Sequence, residues 1–499
     1  MPPGRSQEAA GNRGPKMNGR RPLSREQNSA YGLLPHFSPH GCFCAAGGTR
    51  FRAPARRGGG REDCMEADER ERLAPFLEKV SIFSEEYLMC CKYVKTVAPG
   101  RETLTKKFYM HAGSAARLLE DLLDFHGAKD NGDWYYYREL SAAVRHLAGA
   151  AYAQKHIFNR FPHYGLPDLE SFEDEGHRTH DYLAATLKRL APAVTDEAKR
   201  LSIRVPRRCY TPENFPRIST PVSLPADIDE AENAADTRNI VKMAGEFLGV
   251  ADSFEEVGIS MKLDPCEMDA LVPGQVNEVE VRRHGMVVHN LQSTFDSYIV
   301  HGATREPATL KTLRGYFSVV LHLLDLTGTL LHFFERHILE RGVKDRHKRV
   351  RVRIAELVSP NALLDRTLNY GLYYASLYLA DGRALAEKIR DEHIKIGRIT
   401  VGVPRDLGFH TRPSLLVSRI VDYHGGRVNL VVGEKTFDAS RPVMLQYGGG
   451  EVNRLDLAEV VFEGNLMALE DIKILASVNY GEDQIGRGIP LPRELSYLM

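Results

Sequence analysis

Long uncharged apolar runs are missing from this chain. The nearest approach, 317–334, is interrupted by His322, Asp325 and His332, so no membrane-spanning segment is expected. Net charge is missing too. Sixty-six Lys+Arg stand against 66 Asp+Glu, which excludes a nucleic-acid binder working by overall positive charge. Cysteine is sparse and odd in number: Cys42, Cys44, Cys64, Cys90, Cys91, Cys209 and Cys266. With no CxxC pair they outline neither a disulfide framework nor a zinc site, and a reduced, cytoplasmic setting is expected. Residues 65–396 also lack a nucleotide-binding glycine loop and a nucleophile elbow. No cofactor and no metal ligand are therefore assigned.

What is present divides along the chain. Residues 1–64 carry eleven basic residues, ten of them Arg, against four acidic ones, with eleven Gly. Such a segment buries too little apolar surface to offset its ordering entropy, and it reads as a disordered basic tail or as sequence preceding a start at Met65. Residues 65–200 and 236–396 read as two α-helical regions, because apolar residues such as Leu73, Phe76, Leu77 and Val80 recur at helical spacing. The Pro-rich stretch 201–235 between them reads as a linker. From 397 the period changes to two, as in Ile399, Val401, Val403 and again in Val428, Leu430, Val432. Residues 397–480 read as strands alternating with helices, and 481–499 as a C-terminal tail.

Within the helical regions three clusters stand out. His177 and His180 lie one turn apart and read as a solvated polar face rather than a shared metal site. His332 and His337 are five apart, about 140° around a regular α-helix, and are not expected to share a face. Trp134 with Tyr135, Tyr136 and Tyr137 reads as a helix–helix contact.

The chemistry concentrates in Gly408-Phe409-His410-Thr411-Arg412-Pro413. Pro413 presets a helical φ and opens a helix through Leu415, Leu416, Ile420 and Val421. His410 then sits at a helix N-terminus, where unpaired N–H groups and the positive dipole end favour a phosphate. Arg412 adds a fork of donors, and Gly408 permits a tight turn. A neutral imidazole nitrogen in that setting is a nucleophile toward a phosphoryl group.

This segment resembles the hallmark of the HPr family, the histidine-containing phosphocarriers of the phosphoenolpyruvate-dependent sugar phosphotransferase system. Gly433-Glu434-Lys435-Thr436-Phe437-Asp438-Ala439 and Val460-Val461-Phe462-Glu463-Gly464 extend the likeness over about 397–480. The resemblance implies a mixed fold: a large α-helical region followed by an α+β HPr-like open-faced sandwich of order βαββαβα. It implies phosphorylation of His410 on its δ nitrogen, stabilisation by Arg412, and backbone donors at Thr411 and Arg412. The implied partners are an Enzyme I-like donor and an acceptor protein such as a sugar-permease A component, docking near Val443 and Met444, with no nucleic acid. The chain would be a phosphoryl carrier for sugar transport rather than a free-standing enzyme. The competing expectation is a regulatory protein whose helical region binds a target. Arg441 falls where many members carry a regulatory serine, with Ser440 one position earlier, so serine regulation is not expected to carry over directly. Gly448-Gly449-Gly450 reads as a flexible stretch.

Overall fold

Helical periodicity dominates the computed structural model, which describes residues 62–97, 103–218, 237–257, 259–298, 308–339, 345–405, 407–425, 427–483 and 487–498. Contacts divide the chain into a unit of residues 1–65 and a second of 66–499; the helical core and the sheet both belong to the second. Most of 1–64, on which the basic-tail expectation falls, and 219–236 of the expected linker lie outside the described residues.

The helices before the sheet are α1 (Glu62–Thr96), α2 (Lys106–Phe125), α3 (Tyr135–Arg160), α4 (Phe172–Arg200), α5 (Thr237–Glu255), α6 (Pro265–Leu271), α7 (Glu278–Tyr298), α8 (Ala308–Phe333), α9 (Asp345–Val358), α10 (Pro360–Asp365) and α11 (Tyr373–His393). Short π-helical turns at Phe334–Ile338 and Arg366–Leu372 extend α8 and join α10 to α11. Leu119, Leu140, Leu147, Phe172, Phe247, Leu323 and Tyr374 are all fully buried in one continuous core. Two buried tyrosines satisfy their hydroxyls on loop carbonyls: Tyr374 donates to that of Glu170 at 2.7 Å and Tyr378 to that of Pro167 at 2.9 Å. Ala308–Ile338 is long and apolar enough to cross a membrane, but 78% of its most apolar stretch is buried among its neighbours, as in a core helix.

After α11 come β1 (Ile396–Gly402), α12 (Thr411–Tyr423), β2 (Val428–Val432), β3 (Lys435–Asp438), α13 (Pro442–Arg454), β4 (Glu459–Asn465) and α14 (Leu466–Ser477). The strands form one antiparallel sheet of order β1-β4-β2-β3. Phe462 sits between Ile399 and Leu430 in register and is fully buried in a second core with Val417, Val421, Leu469 and Ile472.

The expected fold class is corrected by this census. Among the described residues there are fourteen α-helices against a single sheet of four strands, none longer than seven residues and all after residue 395. The chain is a predominantly helical protein with a small late sheet, and no HPr-like sandwich is evident as its architecture. The physical reason is extent. Apolar residues keep a helical period from α1 to α11, whereas period-two alternation is confined to a few short stretches, so reading the class from those stretches gave them too much weight.

Within the expected C-terminal tail, residues 487–498 are bound closely to this second core. Leu495 and Leu498 are buried in it, Tyr497 stacks on Tyr423 with ring centroids 3.7 Å apart, and its hydroxyl donates to Asp471 Oδ2 at 2.6 Å. Truncation of a fully buried leucine costs about 2–5 kcal/mol. Leu495→Ala should therefore lower the urea midpoint of this unit by a corresponding amount. An unchanged midpoint would show that the segment contributes nothing to the core.

Candidate functional site

The turn before α12 is built for close approach. Gly408 adopts φ +62°, a left-handed conformation that side chains resist. Phe409 then points inward: it is buried, edge-on to Phe462 and Tyr480 at 6.0 and 5.4 Å. The next residue, His410, is the N-cap of α12 with extended backbone, and Ser414 N–H donates to its carbonyl at 3.1 Å. The first-turn N–H groups, Thr411 and Arg412 among them, have no intrahelical acceptor by geometry and face the helix mouth.

Helix α13 closes the other side. Gly448, Gly449 and Gly450 do not form the flexible stretch expected of them but lie inside the helix. A Cβ on Gly449 would come within 2.9 Å of Phe409 Cβ, and one on Gly448 within 2.7 Å of Leu430. Gly448 therefore lets α13 close on the sheet, and Gly449 lets it close on the His410 turn. Between them lies a cavity of about 320 Å³, bordered by Leu407, His410, Thr411, Gln446 and Asn453.

The residue that sequence reasoning missed is Glu482. Its side chain is 1% exposed, and its Oε2 lies 3.0 Å from His410 Nε2. A carboxylate so far from water requires a donor, and the imidazole supplies it through Nε2–H. Nδ1 is thereby left as the ring nitrogen with the lone pair. Tyr480, two residues earlier, anchors the turn by donating to the Gly402 carbonyl at 2.8 Å. Burial pushes its phenol well above the ordinary value, so it stays a donor. No local pattern marks Glu482, because it lies 72 residues from its partner in a segment that reads as a tail.

Of the expected site residues, His410 and Thr411 meet at the cavity. Arg412 is exposed, and its guanidinium rests against Gly488, where any Cβ would collide with it. Val443 is exposed and Met444 half-buried on the first turn of α13. Ser440 donates through its hydroxyl to Asp438 Oδ1 at 2.7 Å, so a phosphate there would meet a carboxylate.

The other clusters resolve differently. His180 is buried and meets the Tyr109 hydroxyl at 2.9 Å, while His177 packs beside Phe158 with ring centroids 4.5 Å apart. The expected solvated face is in part an interior contact. Trp134 and the three tyrosines pack between helices as expected, with Tyr137 donating to Ser84 at 3.0 Å and Phe76 edge-on to Trp134. Cys90 and Cys91 are buried free thiols.

No family model, curated protein or solved structure matches this chain.

If Glu482 fixes the ring, His410 should show a single Nε2–H tautomer by ¹⁵N NMR in the intact chain at neutral to alkaline pH. Glu482→Ala should give a mixture of both tautomers there. Identical ring shifts in the two proteins would remove Glu482 from this role.

Proposed function

We propose that His410 is a phosphoryl acceptor and that the chain carries the group from a donor protein to an acceptor protein. The observation that carries this reading is the Glu482–His410 contact at 3.0 Å, which engages Nε2 and leaves Nδ1 nucleophilic beside a helix N-terminus.

In the transfer, the Nδ1 lone pair attacks phosphorus as the donor's bond to phosphorus breaks. A new N–P bond forms, and the electron pair of the broken bond returns to the donor. The ring gains positive charge as the bond forms, and the buried Glu482 carboxylate opposes that charge through Nε2–H. The phosphoryl oxygens are offered the first-turn N–H groups of α12. Arg412 is in reach of the same helix end from its resting place at Gly488, and its guanidinium fork matches the phosphoryl oxygens. The 320 Å³ cavity gives the group room.

The sequence likeness to HPr phosphocarriers supports a particular donor and acceptor: an Enzyme I-like protein charged by phosphoenolpyruvate, and a protein such as a sugar-permease A component. Exposed Leu407, Leu415, Val443 and Tyr447 supply apolar contact area for such partners. In this reading the chain works in the cytoplasm as a carrier, and catalysis is shared with those partners.

One observation favours a regulatory reading beside it. Gly425, just after α12, packs on Gly245 and Val241 of α5, and Arg427 pairs with Asp391 of α11 at 3.4 Å. The end of α12 remote from His410 is thus seated on the long helices, so a change at its phosphorylated end has a packed route to them.

Incubation with phosphoenolpyruvate and Enzyme I-like proteins should place an acid-labile, base-stable phosphate on His410. His410→Ala should abolish labelling; because it also leaves the buried Glu482 carboxylate without its donor, it should cost stability, and circular dichroism checks that the assayed chain is folded. Arg412→Ala and Glu482→Gln should each slow transfer roughly tenfold or more. Label retained in His410→Ala, or found on Ser440, would overturn the reading.

A further inference from the structure

The strongest unassigned feature lies in the helical core. The π turn that ends α8 carries an i→i+5 hydrogen bond, Leu339 N–H to the Phe334 carbonyl at 2.8 Å. That extra residue per turn undoes the 140° separation expected for His332 and His337 and brings their ring centroids to 5.8 Å. His146 of α3 completes a triangle, 4.6 Å from His332 and 5.5 Å from His337 by ring centroids. One ring nitrogen from each of the three lies within 4.8 Å of the other two.

Two of these rings have a carboxylate on their outer nitrogen. His337 Nδ1 is 2.8 Å from Glu139 Oε2, and His332 Nδ1 is 2.8 Å from Glu278 Oε1. Both carboxylates are nearly withdrawn from solvent, at 3% and 9% exposure. A carboxylate on the outer nitrogen is how proteins orient a histidine ligand and raise its basicity. With a carboxylate beside Nδ1, Nε2 is the nitrogen that each of these two rings has left for a ligand.

We propose that His146, His332 and His337 form a binding site for a divalent transition metal ion of the zinc class. Three imidazole donors suit such an ion and suit Mg²⁺ or Ca²⁺ poorly, since those prefer oxygen. Remaining coordination positions are open to the adjoining cavity of about 330 Å³, which His332, His337 and Glu139 border.

The cations nearest the three rings are paired. Arg138 is held by Glu120, Asp124 and Glu139, each at 2.8 Å. Arg145 is held by Glu120 and Lys129 by Asp124, also at 2.8 Å. These three cations are answered by carboxylates, while Arg336, 3.8 Å from Glu278, and Arg351, which donates to the Leu339 and Arg336 carbonyls, border the same cavity. The ion must displace one contact, that of Arg145 Nη2 with His146 Nε2 at 2.7 Å. Arg145 keeps its charge paired through Nε to Glu120 when it yields.

The test is metal content of the intact chain, stripped with chelator, incubated with Zn²⁺ or with Mg²⁺, and desalted. The expected result is one Zn²⁺ retained per chain and no Mg²⁺. His332→Gln and His337→Gln, with circular dichroism as the folding check, should each lose that ion. Glu278→Gln should weaken its binding about 10–100-fold. Co²⁺ substitution separates this site from the exposed thiols Cys209 and Cys266: visible d–d bands without a thiolate charge-transfer band are expected. Zinc retained equally by folded His332→Gln and His337→Gln, no zinc retained by the parent chain, or a thiolate spectrum would each overturn the proposal. None of these outcomes depends on phosphoryl transfer at His410.

Discussion

A carboxylate withdrawn from water must be answered by a donor or a cation, and at Glu482 that answer is His410. The rest of the proposed phosphoryl site depends on keeping the pair together. Tyr480 ties the turn before Glu482 to the Gly402 carbonyl. Leu495, Tyr497 and Leu498 lock the segment after it into the second core. On the opposite side Gly449 lets α13 press on Phe409, which fixes the chain one residue before the histidine. Packing that looks remote from chemistry thus sets the direction of one imidazole ring.

The position of His410 at a helix start was legible because the signals were local. A glycine that permits a tight turn, then the histidine, then a proline in the first turn describe an N-terminus within six residues. Glu482 was not legible, because a contact between residues 72 apart leaves no local period. The triad in the helical core was hidden for another reason. Five-residue spacing excludes a shared face only on a regular α-helix, and the π turn at Phe334–Ile338 breaks that premise. The glycines of α13 were misread in the same way. Three in a row signal freedom in isolation, but here each buried one is a point of contact.

The fold class failed at a different level. The strands of the last hundred residues were seen, and their pairing partners are in register. The error was one of weight. A motif of six residues drew the whole chain toward a mixed class, when most of the chain carries a helical period and buries its apolar face helix on helix. A short motif speaks to the site that holds it, not to the architecture that surrounds it.

The two histidine sites use one device toward different ends. In each, a buried carboxylate takes one ring nitrogen and so determines which nitrogen keeps its lone pair. At His410 a single imidazole stands at a helix N-terminus, among partial positive charges and beside Arg412, which favours an electron-rich phosphoryl group and repels a metal ion. In the bundle three imidazoles converge while Glu120, Asp124 and Glu139 answer the neighbouring Arg138 and Glu120 also answers Arg145. It is the convergence of the three ring nitrogens on which the proposed metal site rests. Under the two proposals, the surroundings of the ring decide whether the same side chain takes a phosphoryl group or a metal ion.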